Sequence, residues 1–237
     1  MPTALRRRVS AVVAVLVALV MLTACSLSDF SPTDTPQASP TPTPSPTPTF
    51  DSQFTRDGTF QSHVDIDGVD FVYTIWPTKS TPRTNLWFPK GNKYFSFTLQ
   101  AYDLDQELRD KFKTKRKVWL DRIRVDSETT TKSGAVERPY QLNARAKRIT
   151  FDPEPVTNKN GMLITSPKGA FELRNQQIGD LAMDTKGVTL IFRATVWIQR
   201  SAGSKSYYKE TIRQSVPIAI FQSGQPTEVT KIPVNAN

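Results

Sequence analysis

Between residues 94 and 102 apolar and polar positions alternate without a break. Phe95, Phe97, Leu99 and Ala101 fall on one face, and Tyr94, Ser96, Thr98 and Gln100 on the other. A period of two is the signature of a strand with one buried side. Residues 188–199 repeat it: Val188, Leu190, Phe192, Ala194, Val196 and Ile198 face one way, while Thr189, Ile191, Arg193, Thr195, Trp197 and Gln199 face the other. Ala202-Gly203-Ser204 interrupts the run, and a second run from Tyr207 to Phe221 follows, which predicts a long antiparallel hairpin. Asp67-Gly68 between Ile66 and Val69 is a preferred two-residue type I′ turn and joins strands predicted near 60–66 and 69–76. Further strands are expected over 116–126, 139–151, 161–165 and 170–174. Pro77, Pro82, Pro89, Pro139, Pro153, Pro155 and Pro167 fall between runs, where turns belong.

One segment carries a helical period. Leu104, Leu108 and Phe112 stand at i, i+4 and i+8, Asp103 is placed to cap, Gln106 completes a capping box, and lysines trail. A short helix is therefore expected over 103–113. Nine or ten strands with one short helix predict an all-β chain folded as an antiparallel β-sandwich. For an extracytoplasmic domain the default topology is immunoglobulin-like, although the Cys…Trp…Cys spacing of antibody domains is missing. One elaborated sandwich over 51–225 is expected, followed by a tail, 226–237.

The pattern ahead of residue 51 is different. The apolar run from Ala11 to Leu22 spans only about 18 Å as a helix, against a hydrocarbon core of ~30 Å. It follows Arg6, Arg7 and Arg8, the layout of an export signal. The run closes on Leu22-Thr23-Ala24-Cys25, and Cys25 is the sole cysteine of the chain. These residues resemble the lipobox of bacterial lipoproteins. The resemblance implies that residues 1–24 are a signal peptide and that the Cys25 thiol receives a diacylglyceryl group and becomes the first mature residue. The partner of that end is then the cell membrane, with the rest of the chain facing outside the cytoplasm. Two acyl chains give stable anchoring where one is marginal. Residues 25–50 include a Pro/Thr/Ser run, 31–49, with Ala38 its single apolar residue. Such composition builds no core and favours extended polyproline II, with a reach of roughly 60 Å.

Charge sharpens the picture. Of 31 Lys+Arg and 22 Asp+Glu, the three arginines of the signal and two acids of the stalk, Asp29 and Asp34, are all that precede residue 51; the formal net charge is +9. Nearly all of the excess thus belongs to the sandwich. Lys111, Lys113, Lys115, Arg116 and Lys117 cluster, followed by Arg122 and Arg124. If the hairpin loop has odd length, Arg193 and Trp197 share a face with Tyr207, Lys209 and Arg213. Charges would supply long-range attraction to an anionic polymer, and aromatics would supply stacking. The alternative is a solvated face whose cations protect an edge. An exported domain would not normally meet nucleic acid, so acidic envelope polymers or lipid headgroups are the accessible anions. Trp76 and Trp87 flank a Pro-rich loop, 77–90, where they either stack on sugars or close the end of the core.

Catalytic signals are sparse. His63 is the single histidine; strand neighbours point to opposite faces, so Ser62 cannot use it as a base. Asp65, Asp67 and Asp70 fall short of an EF-hand, and a hairpin turn accounts for Asp67-Gly68 without an ion. No cofactor or metal site is expected. The sequence reads as a non-catalytic surface module that binds an envelope polymer or a protein. Two other readings stay open: a carbohydrate-active enzyme or accessory sugar-binding module, and an accessory subunit of an envelope complex.

Overall fold

The computed structural model describes residue 50, residues 58–79, residue 84 and residues 87–221. The expected signal peptide, Cys25, the expected Pro/Thr stalk and the expected C-terminal tail lie outside them. Ten strands are present among the described residues: β1 (Phe60–Ile66), β2 (Val69–Pro77), β3 (Lys93–Asp103), β4 (Val118–Thr131), β5 (Gln141–Arg145), β6 (Thr157–Asn158), β7 (Gly161–Leu163), β8 (Phe171–Ile178), β9 (Thr185–Gln199) and β10 (Tyr207–Ala219).

They form two antiparallel sheets. One has the order β1-β2-β3-β8; the other has β10-β9-β4-β7-β6, with β5 also paired to β4. The chain crosses between sheets from β3 to β4, back from β7 to β8, and again from β8 to β9. The orders β2-β3-β8 and β10-β9-β4 thus repeat the A-B-E and G-F-C orders of the immunoglobulin sandwich. The expected all-β sandwich is the observed architecture.

The alternating faces explain why the sheets pack. Phe71, Tyr73, Ile75, Phe95, Phe97, Leu99 and Ala101 are fully buried on one inner face, and Val188, Leu190, Phe192, Ala194, Val196 and Ile198 on the other. Phe192 is the meeting point, 5.0 Å edge-on from Phe97 and 5.7 Å from Tyr73 between ring centroids. Such aromatic pairs add about 0.5–1.5 kcal/mol beyond the area they bury. The β1–β2 hairpin turns as expected at Asp67 and Gly68, whose φ values of 52° and 72° are the positive pair a type I′ turn requires.

Two local expectations are corrected. Residues 103–113 do not form a helix: Asp103 ends β3, turns follow, and Phe112–Thr114 makes a single 3-10 turn. The Asp103 carboxylate does not cap. It accepts from the Arg116 backbone N–H (2.7 Å) and from the Arg116 guanidinium. Leu104 and Leu108 are exposed, so the apolar stripe has no surface to bury against and a short helix lacks its main support. Residues 139–151 also do not run as one strand. β5 stops at Arg145, opposite Arg122, and Ala146–Arg148 turns as a 3-10 segment. The same edge of β4 is occupied by β7 at Trp119 and Leu120, so β5 has no ladder left to follow.

That crowded edge depends on glycine. A Cβ on Gly161 would overlap the Leu120 carbonyl, and one on Gly169 would overlap the Leu163 carbonyl. Between them the chain passes from one sheet to the other. Ile164 N–H donates to Val118 O (3.0 Å), while Ala101 N–H donates to Ile164 O and Ser166 N–H to Ala101 O (both 2.8 Å).

The two poles of the sandwich differ. At one, Arg116 is clamped between Asp103, the carbonyls of Asp67 and Gly68 (2.7 and 2.8 Å), and Asp105 (2.9 Å). Burial works against its charge, but the Asp103 hydrogen bonds and charge outweigh it and hold the guanidinium above its ordinary pKa. The Tyr208 hydroxyl also reaches this turn, donating to Asp67 (2.9 Å). At the other pole Phe50 lies against Gly187, where any side chain would collide with its ring. Phe221 N–H donates to Trp87 O (2.9 Å) there, close to the end of β10. The described chain therefore enters and leaves at the same pole.

Candidate functional site: the outer face of the larger sheet

The outward residues of β4, β5, β9 and β10 are set by the same alternation that buries their neighbours. Register then decides which of them meet. Arg213 lies opposite Arg193, Arg193 opposite Arg124, and Arg124 opposite Asn143. One step along, Thr211, Thr195, Arg122 and Arg145 form the next row. A third row holds Lys209, Trp197, Trp119 and Leu163. Rows across a sheet are spaced at about 4.8 Å between strands, and successive outward residues at about 7 Å along them. The hairpin loop 200–206 is odd in length, so Arg193, Trp197, Lys209 and Arg213 do share one face, with Tyr207 at its end. Arg122, Arg124 and Arg145 extend that face across two further strands.

Acidic groups on the outer side of these strands are Asp126 and Glu128, with the half-exposed Asp121 at the bulge beside Arg122. Asp126 accepts two bonds from Arg124 (2.9 and 3.1 Å) and another from Arg193. The Arg124 hydrogen bonds foremost, then both nearby cations, hold its carboxyl below the usual carboxylate range. Arg122 donates to Asn143 (2.7 Å). Lys209 Nζ lies 5.5 Å from the centre of the Trp197 ring. Like charges placed directly opposite on adjacent strands are destabilising, and the Arg213–Arg193–Arg124 row places three together around one carboxylate.

Trp119, Arg145 and the continuity of the face were not part of the sequence expectation. The exposed alternation of Gln141, Asn143 and Arg145 was available as a signal. The alternation of β4 is interrupted by a bulge between Leu120 and Arg122, which moves Trp119 and Arg122 to the same face despite their odd spacing.

The other flagged residues are dispersed. The cluster 111–117 separates: Lys115 is buried with its ammonium on Glu107 O, Arg116 is the clamp, and Lys111 and Lys113 stay exposed. Trp87 is fully buried in the core, so its proposed stacking on sugar is corrected; it closes the end of the sandwich. Trp76 points outward from β2 on the smaller sheet, beside Ser96, and is half-buried. His63 also sits on that outer face, with Nδ1 2.7 Å from Asp70, while Ser62 points to the inner side. Asp65, Asp67 and Asp70 take separate partners: the Gly68 N–H (2.9 Å), the Tyr208 hydroxyl and His63. Searches for relatives add no assignment: no protein-family model matches the chain, and no curated protein matches it significantly.

Proposed function

We propose that this chain is a lipid-anchored, extracytoplasmic lipoprotein whose β-sandwich acts by binding, with the outer face of the larger sheet engaging an anionic polymer of the cell envelope. In this reading Cys25 carries the lipid, residues 26–49 hold the sandwich away from the membrane, and no covalent step is required of the protein.

The observation that carries the reading is the register that aligns Arg213, Arg193 and Arg124 in one row and sets Arg122 beside Arg145 in the next. Among the described residues Asp126 is the carboxylate paired to the first row, through Arg124 and Arg193. A polymer with regularly spaced negative groups relieves the repulsion within the face and releases its own counterions on binding, which is the source of affinity in such contacts. The alternative of a neutral-sugar module loses support because Trp76 and Trp87 do not meet: one is outward on the smaller sheet and the other is in the core.

The test is binding of the full-length chain, kept in detergent, to native envelope polysaccharide at about 50 and about 200 mM salt. Tight binding at low salt that weakens at high salt is expected. Arg193→Ala/Arg213→Ala should flatten the logarithmic salt slope by roughly two, one for each lost contact. Absence of binding at both salts sinks the polyanion reading and turns the search to a protein partner.

A further inference from the structure

We infer that the polymer is a glycan whose sugar rings carry the anionic groups, and that Trp197 is the position on which a ring stacks. The inference rests on the polyanion reading above and adds the chemical class of the ligand. Trp197 faces outward from β9 and is half-buried, in the row at the Tyr207 end of the cationic face, with both arginine rows on its other side. Lys209 stands opposite it on one side and Trp119 on the other, with Arg122 diagonal to it in the adjoining row.

A ring laid on the indole presents its C–H face to the π surface and its substituents outward. Carboxylate or phosphate groups at the ring edge then lie toward Lys209 across the strand and toward Arg122 one row along, diagonal neighbours about 7–8 Å apart. The arginine rows continue in line along β9, so the next charged units of an extended chain meet Arg193 and Arg213. Trp119 in the same row is 7% exposed with its indole Nε1 enclosed, so it is out of a ligand's reach and the stacking position is Trp197 alone. A ringless polyanion needs the cations and gains nothing from the Trp197 indole.

Two polymers separate these possibilities: polygalacturonate, in which every ring bears a carboxylate, and long-chain inorganic polyphosphate, which has the charge and no ring. The full-length protein in detergent is compared with Trp197→Ala, Trp197→Phe and Arg193→Ala/Arg213→Ala at low salt. We expect Trp197→Ala to weaken polygalacturonate about tenfold and polyphosphate less than twofold, in line with aromatic stacking energies in polymer binding. Trp197→Phe should recover most of the loss and also serves if the alanine variant fails to fold. The arginine variant should weaken both polymers. Equal loss on both polymers, no loss on either, or binding of polyphosphate alone overturns the stacking site and leaves the polyanion reading standing. Failure of the unaltered protein to bind either polymer overturns both.

Discussion

Asp126 stands one row beyond the arginine row of the larger sheet, and its two ion pairs set how much charge that row presents. Because Arg124 holds its carboxyl below the ordinary value, Asp126 is ionised at neutral pH. Its pairs favour the folded state above the unfolded carboxylate pKa of about 3.9, and that contribution is lost as pH falls through the lower folded value. Exposed pairs of this kind contribute little stability, so the larger effect is on the face itself. Asp126→Asn should tighten polyphosphate binding several-fold at neutral pH and steepen the salt slope by about one, read by titration at a series of salt concentrations. Acidification below the ordinary carboxylate range should tighten binding in both proteins as their other carboxylates protonate, with the smaller gain in the variant. Lys93 shows the contrasting use of a cation. It is fully buried with its ammonium on the carbonyls of Phe88 and Pro89 (both 3.0 Å) and Gly91 (2.6 Å), and burial lowers its pKa. Nothing in the sequence separates a buried structural lysine such as Lys93 from an exposed one such as Lys209. The difference lies in the loop carbonyls folded over the first.

β4 organises the elements, because it pairs with β9 along one edge and with β5 and β7 in succession along the other. Arg116, just ahead of it, ties that strand to the end of β3 and to the β1–β2 turn. Removing one member of a buried pair strands the other, at a typical cost of 3–5 kcal/mol. Arg116→Met should therefore destabilise the sandwich by about that amount in urea unfolding. Arg116→Met/Asp103→Asn should cost less than the sum of the two single changes. Equal additivity would mean that the clamp contributes no coupling. At this scale the sequence was informative where one rule dominates. The alternation in 94–102 and 188–199 and the Asp67-Gly68 turn located β3, β9 and the first hairpin closely. It misled where tertiary demands compete with local ones: the Leu104, Leu108 and Phe112 spacing is helical, but Asp103 is claimed by Arg116 and no surface covers the leucines. Residues 139–151 kept strand propensity beyond the point where β7 takes the edge of β4.

For the whole molecule, the composition announced a basic domain without showing where the charge gathers. Alternation in β9 and β10 was enough to place Arg193, Trp197, Lys209 and Arg213 together. Joining Arg122, Arg124 and Arg145 to them required the register of β4 with β9 and β5, which depends on a bulge and on pairing between segments distant in sequence. The anchoring half of the proposed function belongs to this scale as well. Cys25→Ser should abolish incorporation of labelled palmitate and shift the protein from the detergent phase to the aqueous phase, with the unfolding curve of the sandwich unchanged. Retention of the label would locate the lipid elsewhere. The seat of Phe50 on Gly187, at the pole where Phe221 meets Trp87, also has a practical side. Phe50 and Phe221 are both at one end of the sandwich strands, so a fluorophore, an affinity handle or a sensor-chip tether joined at either residue starts from that end. An immobilised copy held at that end points the Lys209 and Trp197 row away from its support.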